Sequence, residues 1–292
     1  MYTAAALKAP DGMKPAANFL RAMQITYINL ADRTDRRGFM EKQFAALGLV
    51  ATRLEAMTRA DVSEGQRDRY CNPARRWSMT DGQFACNLSH IKAWRALLDS
   101  DAPRALILED DARLSASLPR FLAAIDAQNI TVPLIRIESW PTEARRYRAA
   151  DVNVLPDITL RRCLEQDAGA AGYIVTRQAA ARLIAAPELN TMLIDGFLYN
   201  PHGPVGRRIE VRQTDPALCI QLWREKSALP EAGGSLGAGL REHKRERKRH
   251  PLTKFTRQAE GWLTYDARRV AARIAQAGWR DVTEEIIGFR PD

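Results

Sequence analysis

The residues best suited to chemistry stand at the end of an apolar run. Ala105-Leu106-Ile107-Leu108 stops on three acids, Glu109-Asp110-Asp111. Neighbouring carboxylates repel, and burying them unpaired costs on the order of several kcal/mol. A divalent cation relieves that repulsion. Oxygen-only ligands suit Mg2+ or Mn2+, ions held by one or two carboxylates together with a substrate's phosphates. A solvated acidic turn after a strand has the same sequence, so the triplet leaves both readings open. Met192-Leu193-Ile194 is a second apolar stretch that ends on a carboxylate, Asp195.

These groups need elements to position them. The run before Glu109 reads as a strand buried on both faces, as in a parallel sheet covered by helices, and its acids fall where such sheets place ligands. Gln24 to Leu30 reads as a first strand. Next come Arg33, Asp35, Arg36 and Arg37, and then a helix through Phe39, Met40, Phe44 and Leu47, with Asp32 or Thr34 as its cap and Gly48 as its stop. Guanidiniums at a helix start can bind an anion, though an Arg-rich surface helix looks the same. Val50 to Ala56 reads as a second strand. Phe84, Leu88, Ile91 and Leu98 stripe a helix opening at Asp81, with Ser89 and His90 at its middle. A histidine satisfied within the core is the alternative there to a site role. Further strands are expected at Leu134–Glu138, Val152–Leu155, Thr159–Cys163 and Gly169–Thr176, then a helix over Arg177–Ala186, and the last strand of the main domain at Leu218–Leu222. The fold class is α/β, with a mostly parallel sheet flanked by helices.

The 292 residues are 46% hydrophobic and 27% charged, an ordinary globular composition large enough for a substantial core. No run is long and apolar enough to span a membrane. Residues 1–22 read as a weakly ordered extension without a secretory core, since Asp11, Gly12 and Pro15 interrupt it. Cys71, Cys86, Cys163 and Cys219 are scattered, which argues against a zinc site or a disulfide framework and suits a cytoplasmic location. The net charge of +9 is concentrated in Arg241, Lys244, Arg245, Arg247, Lys248 and Arg249. Gly233 to Gly239 reads as a linker into a basic helical C-terminal extension, residues 227–292, after a main domain over 23–226. There Leu263, Ala267, Val270, Ala271 and Ile274 line one face of a helix flanked by Arg268, Arg269 and Arg273. A basic amphipathic helix suits an anionic membrane surface, or packs on its own domain. Nucleic acid is the weaker partner, because aromatic and basic residues do not alternate.

Three blocks taken together resemble glycosyltransferase family 25, the lipopolysaccharide galactosyltransferase-like group. They are Ile28-Asn29-Leu30 with Arg33 and Asp35-Arg36-Arg37, Gly82-Gln83-Phe84-Ala85-Cys86 through Ser89-His90 to Trp94, and Leu106 to Asp111. Gly172-Tyr173-Ile174-Val175, Ile194-Asp195 and Pro216-Ala217-Leu218 continue the match, which covers about residues 23 to 222. Gln83 departs from it, because the family often has an acid there. The resemblance implies a GT-A-like domain, a nucleotide-sugar donor (often UDP-galactose), a Mn2+ or Mg2+ ion and inverting transfer to a glycan or lipid-linked glycan. Glu109 and Asp111 then hold the metal. Asn29, Leu30, Arg33, Arg36 and Asp110 line the nucleotide pocket. Asp195 is the expected base, as an acid desolvated by its apolar neighbours, with His90 a second catalytic candidate and His202 a further metal ligand. The other classes kept open are a non-catalytic nucleotide-sugar-binding protein, which Gln83 favours, and a basic peripheral-membrane protein acting through its tail.

Overall fold

The computed structural model describes residues 23–75, 78–150, 152–224 and 237–292; the expected extension at 1–22 lies outside them. The elements, in chain order, are β1 (Met23–Asn29), α1 (Thr34–Leu47), β2 (Thr52–Glu55), a one-turn α2 (Glu64–Gln66), α3 (Asp81–Leu98), β3 (Arg104–Glu109), β4 (Ala112–Leu114) and α4 (Leu118–Ala127). They continue with β5 (Leu134–Arg136), β6 (Arg145–Arg148), β7 (Val152–Leu155), β8 (Ile158–Arg161), β9 (Gly172–Thr176), α5 (Arg177–Ile184), α6 (Ile194–Tyr199), β10 (Val211–Asp215) and β11 (Cys219–Gln221). The chain ends with α7 (Gly237–Lys248), α8 (Pro251–Gly261), α9 (Ala267–Ala275) and β12 (Val282–Glu285).

Eight strands form one sheet in the order β2-β1-β3-β9-β5-β10-β8-β7. β2, β1, β3, β5, β10 and β7 run one way, β9 and β8 the other. The sheet is therefore mostly parallel in direction, with antiparallel β9 inserted at its centre. Side chains alternate across the pleat. Leu106 and Leu108 face the layer of Met40, Phe44, Phe121 and Ile125, whereas Ala105 and Ile107 face Ile91, Trp94, Leu183 and Phe197. Each fully buried aliphatic side chain contributes roughly 1.5–3 kcal/mol, so β3 anchors both layers. Gly172 admits the Cys219 thiol, which would lie 2.4 Å from an added Cβ.

Two expectations need correction, and a third holds with a different partner. Neither Asp32 nor Thr34 caps α1: Arg33 occupies the cap without a side-chain bond, while Gly48 ends the helix at φ 63° as expected. The strand expected over 218–222 is present as β11 and pairs with β4, outside the main sheet. The linker expected over 233–239 falls mainly outside the described residues, and α7 already begins at Gly237.

The tail does not simply trail away from the rest. β12 pairs antiparallel with β6, Arg161 binds Glu285 at 2.6 Å, and the backbone of Gly288 and Arg290 brackets Ala217. Among the described residues no helix is long and apolar enough to cross a membrane. All four cysteines are free.

Gln83 has a local explanation. The Thr80 hydroxyl accepts the Gln83 amide at 3.1 Å, and Gln83 Oε1 accepts the Thr80 amide at 2.9 Å, a capping box that a glutamate would also close. Thr80→Ala should cost about 1 kcal/mol and Gln83→Glu less than about 0.5 kcal/mol, read from urea denaturation.

Candidate active site

The parallel register of β1 and β3 sets Ile28 opposite Glu109, so the residues that follow, Asn29 and Asp110, meet at the strands' carboxyl ends. Alternation then sends neighbouring acids to opposite layers. Asp110 turns toward α1. It accepts from Asn29 Nδ2 at 2.9 Å and from Arg36 Nη1 at 2.9 Å. Asn29 also donates to the Arg33 carbonyl (3.0 Å) and accepts from Arg53 Nε (2.9 Å). Asn29 and Asp110 were expected to line a nucleotide pocket, but their polar atoms are spent inside the protein. They brace the wall rather than present free groups. Arg33 pairs with Asp35 at 2.8 Å, and Leu30 is half-buried at the intervening turn.

Glu109 turns toward α3 and α6. Its Oε1 lies 3.4 Å from His90 Nε2, and its Oε2 accepts from Gln221 Nε2 at 3.0 Å. The histidine tautomer follows from its partners. The Trp94 indole donates to the Tyr173 hydroxyl at 2.9 Å, so that hydroxyl spends its own proton on His90 Nδ1, also at 2.9 Å. The ring proton then sits on Nε2 and points at Glu109. His90 is 1% exposed. The structure places it behind Glu109, between that carboxylate and the Tyr173 hydroxyl.

Asp111 is the least satisfied acid of the triplet. Its Oδ1 is buried without a hydrogen-bond partner, and its Oδ2 stands 3.6 Å from Arg36. Desolvation, then the Glu109 charge, raise its pKa to about 7 against the pull of Arg36. A carboxylate pair short of positive charge, Asp111 buried and Glu109 half-buried, offers oxygen ligands only and fits a hard divalent cation.

Sequence reasoning missed Glu138. It is 0% exposed beyond β5, its Oε2 accepts the Ala171 amide at 2.8 Å, and its Oε1 has no partner. Burial is the main cause that raises its pKa to about 8, with Glu109 and Asp111 adding to it and Arg136 opposing. Gly169, at φ 83°, passes so close that an added Cβ would lie 2.4 Å from Glu138 Oε1. The Gly169 amide donates to Asp195 at 3.2 Å, and that of Gly196 does so at 2.7 Å. Asp195 opens α6 and is half-buried.

Cys86 lies among these acids. Its thiol is held well above its usual pKa by desolvation and then by Glu109, Asp195 and Asp111, which places Asp195 on the same side of the fold as the acidic strand end. Cys86, His90 and Glu109 are the one group among the described residues with three ligating atoms within 4.8 Å. His202 is not in that group. It lies beside the Leu164 backbone, where burial lowers its pKa.

Also unforeseen is the cluster after β11. Gln221 Oε1 accepts from Trp223 Nε1 at 3.2 Å and faces Arg224 Nε at 3.4 Å. The Arg224 guanidinium carbon lies over both the Trp140 and Trp223 rings, which meet edge-on at 88°. Nothing local in the sequence signals it. The pairing of β4 with β11 brings Gln221 beside Ala112, and so beside the acids.

The sequence profile of glycosyltransferase family 25 (LPS biosynthesis protein) matches residues 23–198, which carry the acids, α3 and Asp195. The chain belongs to glycosyltransferase family 25. The Haemophilus influenzae lipooligosaccharide biosynthesis protein lic2B is 22% identical over 209 residues, covering 68% of this chain and 76% of that protein. The Neisseria meningitidis lacto-N-neotetraose biosynthesis glycosyltransferase LgtE is 25% identical over 251 residues, covering 78% and 84%. Human procollagen galactosyltransferase 2 is 26% identical over 197 residues, covering 61% of this chain but 30% of that protein's length. Membership of family 25 makes this chain a glycosyltransferase, with a nucleotide-sugar donor and a glycan acceptor.

Glu138 supplies a test of the site's electrostatics. Its pKa rises from an ordinary 4.5 to about 8 on folding. The unfolded chain therefore loses the proton first, and this group's penalty on the fold grows between those pH values. Glu138→Gln should flatten the decline in stability between pH 5 and pH 8. The variant should gain on the order of a few kcal/mol at pH 8 relative to its standing at pH 5, measured by urea denaturation.

Proposed function

We propose that this family 25 enzyme transfers a hexose, galactose by analogy with the named galactosyltransferases, from a UDP-sugar to a hydroxyl of a lipid-linked glycan, with inversion at the anomeric carbon. The observation that carries this reading is Asp111, a buried carboxylate with an orphaned oxygen beside Glu109 at the carboxyl edge of the sheet. Glu109 and Asp111 would hold Mn2+ or Mg2+. Bound there, the ion supplies Lewis-acid stabilisation of the donor diphosphate.

The chain's own residues do the rest. His90 and Gln221 fix the two oxygens of Glu109, so its orientation is set before substrate arrives. Arg36 and Asn29 hold Asp110, and with it the turn from which Asp111 projects. Asp195 accepts the proton of the acceptor hydroxyl as the new oxygen–carbon bond forms. The bond from the anomeric carbon to the diphosphate oxygen breaks on the opposite face, and its electron pair leaves with the nucleoside diphosphate. The backbone amides of Gly169 and Gly196 orient Asp195 and leave it lone pairs for that proton. The non-catalytic reading loses its motive, because Gln83 is occupied in capping α3.

The acceptor class is supported by the tail. Leu252, Phe255, Trp262, Leu263, Val270 and Ile274 are more than half exposed, beside exposed Lys244, Arg245, Lys248, Arg249, Arg268 and Arg269. Apolar side chains bordered by cations suit the face of an anionic bilayer, each basic residue adding about 1 kcal/mol near the surface. The enzyme is then cytoplasmic and peripheral on a membrane that presents its acceptor.

Titration calorimetry of UDP with and without Mn2+ tests the donor site. Wild type should bind UDP in a metal-dependent way, and Asp111→Ala should weaken that binding by at least about 30-fold, in line with loss of a charged contact. Absence of nucleotide binding with any metal would sink the transferase reading. Asp195→Asn should lower kcat by about 10²- to 10⁴-fold while leaving the UDP affinity nearly unchanged. Vesicle co-sedimentation addresses the tail. Wild type should pellet with phosphatidylglycerol vesicles and not with phosphatidylcholine, and the double substitution Leu263→Glu, Ile274→Glu should abolish that while UDP still binds. Equal pelleting of both proteins would refute the membrane surface.

A further inference from the structure

Arg224 is a cation without an anion. Among the described residues no carboxylate lies within ion-pair distance of it, although arginines throughout this chain pair with acids. Its guanidinium carbon lies over the rings of Trp140 and Trp223. Nε faces Gln221 Oε1 at 3.4 Å, and among the described residues the terminal nitrogens along the guanidinium edge have no hydrogen-bond partner. That edge is the one that matches phosphate oxygens in a fork. Gln221 passes the arrangement on to the acids, donating to Glu109 at 3.0 Å. The Arg224 charge is therefore two hydrogen bonds from the carboxylate assigned to the cation. Asp111 and Glu138 both act on it electrostatically, yet burial dominates and lowers its pKa to about 10. Such a desolvated, fixed cation favours a ligand that brings negative charge.

We propose that Arg224, clamped by Trp140 and Trp223, is the side chain that binds the diphosphate of the nucleotide-sugar donor and takes up the charge of the leaving nucleoside diphosphate. This rests on the transferase reading above. When the bond from the anomeric carbon to the phosphate oxygen breaks, its electron pair stays on the diphosphate. Arg224 donates hydrogen bonds to that charge and keeps its own protons. Trp223 has a double duty, since its ring lies against the guanidinium and its indole N–H fixes Gln221. Arg224 is thereby tied to the same network that orients Glu109.

The test compares UDP affinity in the presence of Mn2+ for wild type, Arg224→Met and Arg224→Lys by titration calorimetry, with thermal unfolding followed for each; Arg224→Gln replaces the Met variant if that one does not fold. A hydrogen-bonded charge is worth about 1.5–3 kcal/mol, so Arg224→Met should weaken UDP about 10- to 100-fold. Arg224→Lys keeps the charge and should lie between wild type and the Met variant. In turnover assays the same ranking should appear in kcat, because the diphosphate carries more charge in the transition state. A change smaller than about threefold in the Met variant overturns the proposal. Equal losses in the Lys and Met variants overturn it too, since packing and not charge would then be the cause. Failure of wild type to bind UDP in any metal is a different result, seen before any variant is compared, and removes the transferase reading together with this one.

Discussion

Glu109, Asp110, Asp111 and Glu138 meet at one edge of the sheet, and their mutual repulsion is the constraint that the surrounding side chains answer. The answers differ acid by acid. Asp110 is neutralised outright by Arg36 and held by Asn29. Glu138 lies 3.9 Å from Arg136, but that guanidinium is pulled toward Asp167 at 2.8 Å, and Glu138 keeps its proton up to a pH of about 8. Glu109 is held by His90 and Gln221, which fix its two oxygens. Asp111 is left with an orphaned oxygen. The unbalanced negative charge is thus confined to Glu109 and Asp111, and the position where a cation would relieve it is set by the fold.

The pleat makes this division possible. Three consecutive acids in a helix would be spread at about 100° intervals around its axis. At the end of a strand buried on both faces they are dealt to different layers. Glu109 joins Ile107 on the side of α3, where Tyr173, opposite Ile107 on β9, reaches His90. Asp110 joins Leu106 and Leu108 on the side of α1, where Arg36 waits in the first turn. Insertion of antiparallel β9 matters here. A strand leaving the edge in the other direction brings its preceding loop, Gly169 to Ala171, back over the acids, and that loop supplies amides to both Glu138 and Asp195.

Local features of the chain were readable for local reasons. The strand ending on Glu109, the helix opening at Asp81 and the glycine stop at Gly48 each carry their cause within a few residues. So did the family blocks, which are short and keep their order. The surroundings of Asn29 and His90 were not legible, because hydrogen-bond partners 81 and 83 residues away decide whether a polar atom is free. Glu138, Gln221 and Arg224 were not recognised at all. Their approach to the acids depends on β5 lying beside β9 and on β11 joining β4, pairings between segments that show no mutual signal.

The tail and the site share a connection that the sequence does not display. The stretch after β12 brackets Ala217 between the Gly288 carbonyl and the Arg290 amide, and the Ser139 hydroxyl donates to the Ile287 carbonyl. Ala217 leads directly into β11, and β11 delivers Gln221 to Glu109. Ser139 adjoins both Glu138 and Trp140. The last residues of the chain therefore brace the two segments that form the outer wall of the site. Removing everything after residue 226 would strip the exposed helices and this brace together. Lost activity in such a truncation would say as much about Gln221 and Glu138 as about a membrane. Substitutions on the exposed faces of α7 to α9, which leave β12 and the residues after it in place, separate the two contributions.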